Sequence, residues 1–140
     1  MLALVGALLA GPAAAYTWAP RGQFYAQGKE TVSTPGTAPA TCEAFWYLEV
    51  TEGQLRVLSP GAPLCAVRAF GLPWRVPITG PARAIVRQAW FEGTALTFCQ
   101  GNLTLRVEPN GVLTMINDAM APGCAMSVTI TPNRPLHIAP

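Results

Sequence analysis

One stretch occurs twice, and each copy is bounded by cysteines. The first runs from Cys42 to Cys65 and the second from Cys99 to Cys124; together they hold all four cysteines of the 140-residue chain. Aligned on their first cysteines, the copies are preceded at the same spacing by Gly36-Thr37-Ala38 and Gly93-Thr94-Ala95. Trp46, Leu48 and Val50 fall on Leu103, Leu105 and Val107, and Leu55 and Val57 fall on Leu113 and Met115. A repeat of this length points to one supersecondary unit used twice, its copies packed together.

The turns fix how each unit pairs. With Glu52-Gly53 as a two-residue loop, Val50 faces Leu55, Glu49 faces Arg56 and Leu48 faces Val57. Apolar pairs then share one face and the Glu–Arg pair takes the other, as strands of period two require. In the second copy a two-residue Asn110-Gly111 loop would set Val107 against Thr114 and mix the faces. A three-residue Pro109-Asn110-Gly111 loop restores them, pairing Val107 with Leu113, Arg106 with Thr114 and Leu105 with Met115. Such a loop suits a type I turn closed by a left-handed glycine. A one-residue slip would turn every side chain to the wrong face, so the extra residue belongs in the turn.

Residues 1–15, MLALVGALLAGPAAA, are apolar, uncharged and end in small residues. They read as a secretory signal peptide cleaved after Ala13-Ala14-Ala15, and are too short to span a bilayer as a helix. The remainder, 16–140, has the length of one domain, with the repeat covering about 24–70 and 81–131 and a linker at 71–80. Four cysteines in an exported chain imply two disulfides, with three connectivities open. The hairpin register favours Cys42–Cys65 and Cys99–Cys124; the alternative joins corresponding cysteines of the two copies. Each favoured bridge closes a loop of just over twenty residues, contributing about 3 kcal/mol in the chain-entropy picture. The expected location is the periplasm or the medium, with no stable membrane insertion after cleavage.

Fourteen prolines, thirteen glycines and short alternating runs predict an all-β domain. The expected architecture is a small sandwich or barrel of two similar disulfide-tied halves, since packing or closing the copies removes open edges. Residues 16–28 read as a lead-in that brings the chain to the first copy, and the tail from Pro132 as having little regular structure. The stretch 71–81, with its prolines, excludes a helix or central strand. Arg83 to Phe91 has two arginines four apart, which suits a helix; the repeat makes it a strand, and the strand reading is adopted.

The chemical inventory is thin. The chain has one His (His137), one Asp (Asp118) and one Lys (Lys29). This leaves no assembled nucleophile–base arrangement and no ordinary zinc cluster, nor does any cofactor motif occur. The arginines are scattered and the net charge is only +2, so no nucleic-acid footprint is present. A carboxylate-pair hydrolase would draw on Glu43, Glu49, Glu52, Glu92, Glu108 and Asp118, two of which must face across a cleft. The copies differ most on their outward face, where Phe45 and Tyr47 replace Asn102 and Thr104. With Leu58 they form a candidate binding patch, unless another part of the chain covers them. Phe70, Trp74 and Arg75 form a second candidate, since Trp and Arg recur at interface hot spots; Trp74 could instead plug the core.

The chain thus reads as an exported, non-enzymatic β module that binds a protein partner, as an inhibitor or accessory of an extracytoplasmic protein. Two alternatives are a small carboxylate-pair hydrolase and a structural accessory of an envelope assembly that keeps its N-terminal anchor. A mature chain beginning at Tyr16 would exclude the anchor.

Overall fold

A computed structural model of the chain describes residues 16–93 and 97–140. The segment read as a signal peptide, 1–15, and the second Thr-Ala of the repeat lie outside the described residues. The chain forms twelve strands: β1 (Thr17–Ala19), β2 (Gly22–Ser33), β3 (Ala40–Thr51), β4 (Gln54–Gly61), β5 (Ala66–Phe70), β6 (Trp74–Val76), β7 (Ile78–Gly80), β8 (Arg83–Gly93), β9 (Phe98–Val107), β10 (Leu113–Ala121), β11 (Ala125–Pro132) and β12 (His137–Ala139). The described residues include no helix. The all-β expectation holds, because apolar residues alternate along each long strand. In β3, Cys42, Ala44, Trp46, Leu48 and Val50 are buried while the residues between them are exposed or half-exposed. The same alternation buries Met126, Val128 and Ile130 of β11. These inward rows meet in one core, within which the Trp46 and Trp74 rings pack edge to face at 6.1 Å.

Both hairpin registers are those that the turns predict. Leu48, Glu49 and Val50 pair with Val57, Arg56 and Leu55, and Leu105, Arg106 and Val107 pair with Met115, Thr114 and Leu113. Glu52 and Gly53 have φ of 53° and 74°, the left-handed pair of a type I′ turn. Gly111, at φ 86°, closes the second loop by donating to the Glu108 carbonyl at 2.9 Å. The disulfides join Cys42 to Cys65 and Cys99 to Cys124, with Cα separations of 5.9 and 6.0 Å, ordinary for a disulfide. Each bridge ties the first strand of a hairpin to the residue preceding the strand that leaves it.

Those departing strands define the architecture. β11 leaves the β9–β10 hairpin and pairs with β2, the first long strand of the other copy. β5 leaves the β3–β4 hairpin and pairs with β8, the corresponding strand of the second copy. The ladder order is β5-β8-β9-β10-β11-β2-β3-β4-β6, with β7 also on β8, and the sheet curls towards a barrel. Its symmetry is broken at one place. β10 and β11 form a ladder, whereas β4 and β5, separated by residues 62–65 with Pro63, do not. β6 takes the vacant edge of β4 and approaches β8 without a ladder, leaving a seam. β1 and β12 form a separate two-stranded sheet.

Three expectations need correction. Residues 71–80 are not simply a linker, since they contain β6 and β7. Pro73 and Pro77 flank β6 at a sheet edge, where their missing N–H groups remove no ladder bond. The lead-in 16–28 is largely strand: it holds β1 and the first half of β2. The tail from Pro132 is ordered, with Leu136 buried and β12 paired to β1. Both termini had too few residues for their periodicity to register.

Candidate functional site

The outer face of β2 and β3 carries the first cluster. Tyr25 pairs with Tyr47, and Gln27 with Phe45, so these side chains emerge side by side. The Tyr25 ring lies 5.0 Å from that of Tyr47 and 6.2 Å from that of Phe45. Phe45 and Tyr47 are 38% and 52% exposed. The Tyr25 hydroxyl accepts from Gln27 Nε2 at 3.0 Å, and its backbone N–H donates to Asn133 Oδ1 at 3.0 Å. Tyr25, from the lead-in, packs against both rings but leaves them exposed among the described residues. Leu58 does not stand opposite Tyr47, as expected; Ser59 does, because β4 carries a one-residue bulge there and the register shifts. Leu58 is the extra residue and is half-buried.

Phe70 belongs to a second cluster. Its ring lies 5.1 Å from Trp90 and 5.7 Å from Phe98, with the Arg68 guanidinium 5.4 Å from its centroid. Trp90 and Phe98 are exposed and were missed from sequence, because only the crossing of β5 to β8 sets Phe70 opposite Trp90. Trp74 is not part of this surface. It is 1% exposed, and its indole donates to the Phe70 carbonyl at 2.8 Å. Strand β6 alternates, sending Trp74 and Val76 into the core and Arg75 out. Arg75 lines a cleft at the seam.

The carboxylates do not assemble into a pair across either principal cavity. The seam cleft has none, and a shallow depression beside β10 has Asp118 alone. Glu49 accepts from Arg56 at 2.7 Å, and this bond holds its carboxyl below the usual range. Asp118 accepts from Thr104 Oγ1 at 2.9 Å and Glu108 from Thr114 Oγ1 at 3.3 Å. The described residues contain no group of three or more metal-ligating side chains.

The acidic residue that stands out is Glu30, which sequence reasoning passed over. It is 1% exposed, faces the core from β2 and pairs in register with Cys42. Burial raises its pKa to about 7, and the Trp46 indole nearby lowers it in part. Neither Glu30 Oε2 nor Trp46 Nε1 has a well-formed hydrogen bond. The signal was available: Phe24, Ala26, Gly28, Glu30 and Val32 share one face of a period-two strand.

Fold and surface together define an all-β protein tied by two disulfides, with aromatic clusters on its outer face. Disulfides of this kind fit an oxidising, extracytoplasmic compartment. The chain belongs to the alkane oxidation protein activator PraA/PraB-like family, whose model matches residues 1–140. That description is of an activator, an accessory role that implies interaction with another protein. No curated protein and no solved structure matches the chain.

Proposed function

We propose that the protein is an exported, non-catalytic accessory of alkane oxidation that contacts a protein partner through Tyr25, Phe45 and Tyr47. The observation that carries this reading is the exposed, mutually packed aromatic face on the long β2–β3 ladder. Aromatic side chains on a rigid element give large contact area with little entropy left to lose. The family description supports an accessory that promotes an activity over an inhibitor. The disulfides support a periplasmic or secreted location, and the description of the family as activators supports an accessory over a catalyst.

The test is alkane oxidation by cells that lack the protein, complemented with wild type or with Phe45→Ser/Tyr47→Ser. Both changes lie on the outer face and should leave the thermal midpoint nearly unchanged. The expected result is a variant exported at wild-type level that no longer supports oxidation. Full activity in the double variant would move the contact elsewhere, with Phe70, Trp90 and Phe98 the next surface to change.

A further inference from the structure

The incomplete closure of the sheet leaves a cleft where β6 meets β8, bounded also by β1 and the turn after β3. Its volume is about 400 Å³, within the range of small-molecule sites. Tyr16, which is exposed, and the half-buried Ile78 give it apolar surface, backed by the buried Trp18, Leu55 and Val76. Three arginines line the same cleft: Arg56 from β4, Arg75 from β6 and Arg87 from β8.

The arginines are arranged against the interest of the empty sheet. Arg56 and Arg75 stand directly opposite each other in the β4–β6 ladder, and like charges so placed destabilise a sheet. Glu49 neutralises Arg56 in the one ion pair among the described residues. Arg75 and Arg87 have no such partner there, and no carboxylate lines the cleft. Arg87 is exposed beside a bulge in β8, where the register shifts between Val86 and Ala89 and Gln88 takes a φ of 53°. Bulges of this kind redirect side chains, often beside binding sites.

We propose that the cleft binds a small amphiphilic carboxylate, with its head on Arg75 and Arg87 and its apolar part against Tyr16 and Ile78. A guanidinium presents two parallel N–H groups to a carboxylate, so the anion supplies the countercharge that the sheet lacks. An inorganic anion would leave the apolar surface uncovered, and a neutral lipid would leave the guanidinium groups unmatched. The inference is independent of the Phe45–Tyr47 face.

The experiment is titration calorimetry of the oxidised protein at low salt with octanoate, 1-octanol and inorganic phosphate. Octanoate is expected to bind at a single saturable site, at least about tenfold more tightly than either other probe. Added salt should weaken that binding. Arg75→Gln/Arg87→Gln should weaken it at least about tenfold, and Phe45→Ser/Tyr47→Ser should leave it unchanged. Arg75→Gln alone removes a like-charge pair, so its thermal midpoint should equal or exceed that of wild type. Absence of saturable octanoate binding would overturn the proposal, as would equal binding of octanol or undiminished binding by the folded arginine double variant. Phosphate binding as tight as octanoate would also overturn it, reducing the cleft to a plain anion site.

Discussion

A carboxyl enclosed by the core at Glu30 couples stability to pH in a direction opposite to most acidic side chains. The unfolded chain releases this proton near pH 4.5, and the folded chain holds it to about 7 because burial disfavours the charge. Between these values the folded state binds the extra proton, so stability falls as pH rises and stays low above the folded value. The displacement corresponds to about 3 kcal/mol. Glu30→Gln, which keeps the shape without the charge, should raise the melting temperature by several degrees at pH 8 relative to its effect at pH 5. Calorimetry of both proteins at both pH values decides this; a constant gap would mean that the carboxyl does not titrate in this window. The inward aim of Glu30 could be read from sequence once Gly22–Ser33 is taken as one strand. Cutting it at residue 28 as the end of a lead-in hid the alternation.

At the scale of the element, the hairpins were the most legible part of the chain and the seam the least. Turn chemistry plus period two leaves one register that keeps apolar residues together, and Leu48–Val57 and Leu105–Met115 follow from it. The placement of β6 followed from no local rule. Three residues between two prolines have no periodicity to read, and only the failure of β4 and β5 to pair gives Trp74–Val76 an edge to occupy. The same holds for the candidate surfaces: Phe45 and Tyr47 could be found as differences between copies, whereas Trp90 and Phe98 join Phe70 through a long-range crossing. The Glu52-Gly53 turn offers a direct check on the hairpin. Glu52 sits at φ 53°, a conformation that asparagine tolerates better than glutamate. Glu52→Asn should therefore stabilise the protein by about 0.5–1 kcal/mol, measured as a raised denaturation midpoint at unchanged slope; a lowered midpoint would argue against the type I′ geometry.

For the whole molecule, the likeness of the two halves and the closure of the sheet are one phenomenon. Each copy offers a hairpin and one strand that must find its partner in the other copy, so neither half can complete its sheet alone. Where the two halves differ, at the proline-interrupted passage from β4 to β5, the molecule acquires its seam and its cleft. The β1–β12 pairing adds a second consequence. Thr17 and Ala139 are register partners, so the described chain is close to a closed loop in which the position of the cut is a matter of history and not of structure. A circular permutant that joins Pro140 to Tyr16 through a short glycine-serine bridge and opens at Gly36, in the exposed β2–β3 turn, should form the same disulfides and melt within a few degrees of the parent. Cargo attached at Tyr16 or Pro140 would hang from one pole of the molecule, next to the arginine cleft.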